Sequence, residues 1–299
     1  MSGILRAENL CKRFGRSVAL DRLTFTVDAG SVYGLIGPNG AGKTTTIKIL
    51  MNIIEPTGGH SEVLGADSRS LGPRQFAQIG YVSENQKMPE WMTVGYLLAY
   101  LKPFYPTWDD RRAEDLLRQF QLPPGRRLKD LSRGMRMKAA LASSLAYRPK
   151  LLVLDEPFSG LDSLVRDEFI GGLVESAEET TILISSHDLA EIETFATHIG
   201  YLDQGRMECS ESITSLSNRF REIEVTLPRL PTAPHQWPAS WLHPETSPTV
   251  VRFVDTHFDE DRTAEEVRHL FGSGAQMSSA PMPLRAIFVA LAKSSRKAA

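Results

Sequence analysis

Residues 37–44 read Gly37-Pro38-Asn39-Gly40-Ala41-Gly42-Lys43-Thr44, a glycine-rich octet that ends in a cation and a hydroxyl. The chemistry that suits such a run is phosphate binding. Glycines let the backbone curl until its N–H groups point inward at phosphate oxygens, and a helix starting at the loop's end adds about half a positive charge. Lys43 would then reach the β- and γ-phosphates of a nucleotide, and the Thr44 hydroxyl would ligate Mg2+. The bare pattern also fits a flexible surface loop, so its neighbours must decide. A second run, Leu151-Leu152-Val153-Leu154-Asp155-Glu156, is four apolar residues ending in two acids. A stretch apolar at every position suits a parallel strand buried on both faces. Ligands of open α/β sheets sit beyond the carboxyl ends of such strands. Successive strand residues face opposite ways, so the two acids can divide the work. Asp155 is expected to hold Mg2+ through water and Glu156 to polarise an attacking water.

The surroundings agree with this chemistry. Ser31–Ile36 is a short apolar run of strand type, and after the loop Ile47, Leu50, Met51 and Ile54 fall at i, i+3, i+4 and i+7, one face of a helix. Strand, glycine loop, helix is the order that phosphate binding requires. To about Phe220, β-type runs alternate with helical patterns, the mark of an α/β layered fold. The segment Leu227–Pro248 differs. Pro228, Pro231, Pro234, Pro238, Pro244 and Pro248 exclude a helix or a central strand, leaving a loop or an irregular edge. Strands are expected at Glu222–Leu227 and Thr249–Val254, helices around Thr263–Phe271 and Leu284–Lys293, and a frayed tail at 293–299. No internal repeat is visible, and there is one phosphate loop.

Bulk properties narrow the function. The chain has 299 residues, 41% hydrophobic and 23% charged, as in ordinary globular proteins. A formal net charge of -2 argues against a general nucleic-acid binder. The two cysteines, Cys11 and Cys209, have no partner pattern and read as reduced thiols of a cytosolic protein. The N-terminal residues lack the apolar stretch of a signal peptide, and no run of about 18 apolar residues offers a membrane span.

At this point the chain resembles the ABC (ATP-binding cassette) ATPases, through motifs ordered across most of residues 1–220. After the phosphate loop comes Leu131-Ser132-Arg133-Gly134-Met135, similar to the family signature LSGGQ, then the acid pair. Ser159-Gly160-Leu161-Asp162 matches the D-loop, and Ser185-Ser186-His187-Asp188, after a strand at Thr181–Ile184, matches the switch-histidine loop. Phe14 stands where the family places an adenine-stacking aromatic. The resemblance implies an α/β P-loop NTPase cassette over residues 1–220, with a mixed sheet core, an antiparallel β part and a helical subdomain at about 86–148. A small α+β accessory domain would follow at 221–299. It implies ATP and Mg2+, with the phosphate loop through Thr45 on the nucleotide and Thr44, Glu84 and Asp155 on the metal. Glu156 would act on water and His187 on the γ-phosphate. Ser132, Arg133 and Gly134, ahead of a helix over Met135–Tyr147, would meet nucleotide held by a second subunit, with Asp162 at the same junction.

Three positions depart from the family pattern. Arg133 stands at a glycine position of the signature, where it either adds a cation near the partner's phosphate or faces solvent. Met135 replaces glutamine and lacks its hydrogen bonds. Glu84 stands where the Q-loop glutamine is expected, with Gln86 two residues on, and either could serve the metal. With the Leu284–Phe288 stretch, these variations are similar to ATPases of ABC-2-type exporters. The implied partners are another ABC ATPase subunit, as homodimer or heterodimer, and a separately encoded integral membrane permease, with no nucleic acid. The implied location is cytoplasmic, peripheral on the cytosolic face of the membrane. Trp91, Tyr96, Tyr100, Phe104, Tyr105 and Trp108 crowd one stretch, either as a docking surface for that permease or as the helical subdomain's own core. The alternative function is a soluble ABC ATPase acting on ribosomes or DNA.

Overall fold

The computed structural model describes residues 3–84, 86–228 and 236–298, with side chains to residue 294. The chain divides into two compact units, Met1–Ser210 and Glu211–Ala299. The division expected from the sequence lay later, at 220/221. The segment between belongs with the second unit because Glu211 takes two hydrogen bonds from the Arg219 Nε, at 3.0 Å, while Arg219 also donates to the Thr256 carbonyl.

The first unit opens with the antiparallel hairpin β1 (Leu5–Phe14) and β2 (Ser17–Val27). Then come β3 (Val32–Ile36), α1 (Lys43–Leu50), β4 (Gly58–Val63), β5 (Ala66–Asp67), the short α2 (Pro73–Phe76) and β6 (Ile79–Ser83). Three helices follow, α3 (Val94–Leu101), α4 (Asp110–Gln119) and α5 (Arg133–Leu145). The unit is completed by β7 (Leu151–Asp155), α6 (Ser163–Ser176), β8 (Thr181–Ser186), β9 (His198–Asp203) and β10, which runs Arg206–Ser212 over the division. One sheet has the order β2-β1-β4-β5 and is antiparallel. The other has the order β10-β9-β3-β8-β7-β6, with β9, β3, β8, β7 and β6 parallel.

This topology puts the carboxyl ends of β3, β7 and β8 side by side, with Asp155 in register with Ser185. Every residue of β3, β7 and β8 is buried. Burying an aliphatic side chain is worth about 1.5–3 kcal/mol, so Leu152, Val153 and Leu154 anchor the strand that presents the acids. The helical face on α1 holds for Ile47 and Leu50, with Met51 capping the helix and Ile54 beyond it. The signature helix starts earlier than the expected Met135, because the Ser132 hydroxyl accepts from the Met135 amide at 3.2 Å and caps α5. α5 is buried along most of its length, and Lys138 ties it to Glu168 of α6 at 2.6 Å.

The second unit holds α7 (Ile213–Arg219), β11 (Arg221–Thr226), β12 (Trp241–Thr246), β13 (Val250–Asp255), α8 (Glu260–Phe271), β14 (Gln276–Pro281) and α9 (Leu284–Ala298). Its antiparallel sheet has the order β12-β13-β11-β14 around a core that includes Ile223, Trp241, Phe253 and Val267. The proline-rich segment contributes β12, an edge strand whose register slips between Leu242 and Glu245, next to Pro244. An edge is where a sheet tolerates a residue without an N–H. Pro231 and Pro234 lie outside the described residues. β14 had no sequence signal, since Gln276–Pro281 is half polar, without alternation, and mostly exposed. The tail expected to fray continues α9 as helix to Ala298.

Candidate functional site

The phosphate loop joins β3 to α1. Gly40 and Gly42 have φ of 82° and 112°, the left-handed region that favours glycine. A Cβ on Gly42 would lie 2.7 Å from the Ala19 carbonyl. Gly37 is buried, Pro38, Asn39 and Gly40 form an exposed rim, and the Ala41 side chain packs into the core. Lys43 turns back over the loop, donating from Nζ to the Gly37 carbonyl at 2.7 Å and the Pro38 carbonyl at 3.2 Å. It is 5% exposed, and its charge is met by Glu156 Oε1 at 3.1 Å.

Asp155 ends β7, almost fully buried. Its Oδ1 accepts from the Thr44 hydroxyl at 3.0 Å and the Ser185 hydroxyl at 2.8 Å. Burial pushes this carboxyl above its ordinary value, while the two hydroxyls pull the other way. Ser185 also accepts from the Glu156 amide at 3.0 Å, so one hydroxyl ties both acids. Glu156 leaves the strand with φ of 51°, a left-handed conformation costing a non-glycine residue on the order of 1 kcal/mol. That turn aims its carboxylate at the loop rather than along the sheet. Its Oε2 accepts from His187 Nδ1 at 2.8 Å, and this bond holds the imidazole above its ordinary value.

Glu84 lies on the same cleft, about 340 Å³ in volume, which Thr44, Thr45, Glu156 and His187 also line. Its Oε1 accepts from Ser159 at 2.8 Å and from the Arg133 guanidinium at 2.6 Å. The Ser159 bond, then Arg133, hold this carboxyl low against a partial desolvation. Gln86 stands elsewhere, its Oε1 accepting from the Ser83 amide at 3.4 Å, on a groove with Ile53 and Tyr105. Phe14 is half exposed, with Lys12 Nζ 4.9 Å from its ring centre, and is not among the residues lining the cleft. Ser132 and Arg133 are exposed at the start of α5 and Gly134 is buried there. Asp162 caps α6, accepting from the Val165 amide at 3.0 Å.

Ser185 and Ser159 lie within the sequence motifs, but neither residue type points to a role there. Ser185 had a signal, because Thr181–Ile184 is an apolar strand ending in polar residues, the same pattern that marked Asp155. Ser159 had none, since only folding carries it to Glu84. The oxygen set of Thr44, Asp155 and Glu84, hydroxyl plus carboxylates, suits a hard cation such as Mg2+. The curled loop with its buried lysine suits a phosphate chain.

The chain resembles known proteins over most of its length. The ABC transporter family model matches residues 20–159. An uncharacterised ABC transporter ATP-binding protein of Synechocystis is 34% identical over 220 residues, covering 70% of this chain and 61% of that protein. The daunorubicin resistance ATP-binding protein DrrA2 of Streptomyces coeruleorubidus is 36% identical over 222 residues, covering 72% of this chain and 68% of its own. The solved structure of an ATP-binding subunit of an ABC transporter superposes with a TM-score of 0.66 at 28% identity, over 72% of this chain and 92% of that one. A phosphate loop, Glu156 and His187 meet in one cleft, and these likenesses establish that the chain belongs to the ATP-binding proteins of the ABC transporter family.

Proposed function

We propose that this chain binds Mg2+-ATP in the cleft, pairs with a like subunit and hydrolyses ATP to drive a separately encoded membrane permease, in the direction of export. The convergence of Lys43, Glu156 and His187 beside the Thr44–Asp155 pair carries this reading. Loop amides and Lys43 hold the phosphates, with Phe14 against the adenine. Thr44, Asp155 and Glu84 would hold Mg2+, which when bound offsets charge on the β- and γ-oxygens. Lys43 exchanges its Glu156 partner for a phosphate oxygen. Glu156, released, orients and polarises the attacking water, and His187 turns to the γ-phosphate. Phosphoryl transfer needs little more than positioning and charge stabilisation. Ser132, Arg133, Gly134 and Asp162 serve the nucleotide of the partner subunit.

Two surfaces support a permease partner. Ile53 and Phe76, both exposed, line a groove of about 470 Å³ with Leu101 and Tyr105. Beside it in sequence, Trp91, Tyr96, Tyr100 and Phe104 are exposed. Tyr105 instead stacks on Tyr147 at 3.7 Å, and Trp108 packs against the cluster of Leu98, Ala113 and Ala146. The aromatic stretch thus divides between surface and core. Among the described residues no helix is long and apolar enough to cross a membrane. The likeness to a daunorubicin resistance ATP-binding protein favours a role in drug resistance.

The test is to tag the chain in its native cell, solubilise membranes gently and identify what co-purifies. A multi-span membrane protein in stoichiometric amount is expected. Recovery of only soluble machinery, such as ribosomes in salt-sensitive association, overturns the transport reading and leaves the ATPase chemistry in place.

A further inference from the structure

Two of the positions that depart from the family pattern touch each other. Glu84, where a glutamine is expected, accepts from Arg133, where a glycine is expected, at 2.6 Å. Arg133 is the first residue of α5, and the first turn of that helix holds no acid. A cation at a helix N-terminus opposes the helix dipole and needs an anion from outside. Glu84 supplies it. The guanidinium is seated over Gly160, at φ of 66°, where a Cβ would lie 2.8 Å from Arg133 Nη1. Ser159, next in sequence, donates to the same carboxylate oxygen. The carboxylate also lines the phosphate-loop cleft, so it faces two cation sites at once.

We propose that Arg133 is a positioning residue that competes with Mg2+ for Glu84, and that the arrival of Mg2+-ATP releases its guanidinium for the phosphate of the partner subunit. The inference rests on the reading of the cleft as a Mg2+-ATP site. The guanidinium beside Glu84 offsets the charge that would draw the metal, which weakens metal binding within the subunit. Once freed, the same cation sits at the signature surface at the N-terminus of α5, where a partner's phosphate replaces Glu84 as its counter-ion. The pair suits exchange because its side chains are 49% and 32% exposed, and ion pairs so exposed are weak. A buried pair would be too costly to open. One arginine thereby links occupancy of its own subunit's site to readiness for closing the other.

The two roles carry opposite signs, and a merely structural contact would not. ATP binding to dilute full-length chain is measured by titration calorimetry, with Mg2+ and with EDTA. Arg133→Ala is expected to tighten Mg2+-ATP binding about two- to five-fold, the range for an exposed pair. Affinity in EDTA does not tighten, and in a Glu84→Gln background the tightening with Mg2+ disappears. ATP-driven dimerisation, followed by light scattering in a Glu156→Gln background, is weakened by the same Arg133→Ala, and Arg133→Lys restores part of it. Unchanged Mg2+-ATP affinity, or a loss in both assays, overturns the proposal. Lys43→Ala separates the levels. If it abolishes ATP binding while Arg133→Ala does nothing, this inference alone falls, and if it binds ATP normally the cleft assignment falls and takes the inference with it.

Discussion

Replacing Glu156 by glutamine keeps the shape of the side chain and removes the charge that faces both Lys43 and His187. The carboxylate is 14% exposed, 3.1 Å from Lys43 Nζ and 2.8 Å from His187 Nδ1. At an effective dielectric constant of about 20, charges at the Lys43 distance attract by about 5 kcal/mol gross, and desolvation leaves a net of about 1.5–3 kcal/mol. That attraction is what a γ-phosphate must displace from Lys43. Its removal leaves ATP binding intact or tighter. Turnover behaves oppositely. Loss of a positioned general base lowers kcat by about 10²- to 10⁴-fold, or about 3–5 kcal/mol of barrier. The assay pairs steady-state phosphate release with equilibrium ATP binding, and light scattering detects the ATP-stabilised dimer expected when hydrolysis stalls. NMR titration of His187 adds an independent reading. The bond from Glu156 is the leading cause of its raised pKa, so the variant should titrate closer to the ordinary value of 6.5. Steady-state turnover within about twofold of the wild type would refute the assignment of Glu156 as the residue acting on water.

Two further predictions follow from neighbouring contacts. Because the folded pKa of His187 is raised, its contribution to stability is present in full below about pH 6.5 and is lost as pH rises through the folded value. Unfolding measured between pH 6 and 8 should show this slope in the wild type and lack it in Glu156→Gln; equal slopes would sink the link. In the second unit, Asp255 is fully buried and accepts from the His257 amide at 2.9 Å and the Thr263 hydroxyl at 2.7 Å. Asp255→Ala orphans both donors and should cost about 2–4 kcal/mol. Hydrogen exchange should accelerate across β11 and β13 while β7 keeps its protection, and unchanged exchange in β13 would count against the network.

The phosphate loop was legible from residue order alone because its chemistry is local. Six successive residues must curl, and glycine, lysine and threonine at fixed spacing have few other uses. The acid pair was legible for a related reason, since a strand apolar at every position can only be interior and its polar end can only be a rim. The same logic located His187 after its strand. Nothing local reports that Gly160 must leave room for Arg133, or that Ser159 and Arg133 meet on one oxygen of Glu84. The partners in these contacts are 75 and 49 positions apart and are brought together by the packing of α5 and the loop after β7 against the sheet edge. Residue type alone could not separate Glu84 from Gln86, as both carry oxygens, whereas the fold puts Glu84 at the cleft and Gln86 on the groove. In the second unit the alternation of β11 and β13 could be read, but β14 could not, because a strand held at an edge by backbone hydrogen bonds needs no apolar face. The sequence determined which chemistries this protein carries; tertiary structure decided which of those groups touch, because charge pairing and burial depend on distances that spacing along the chain does not contain.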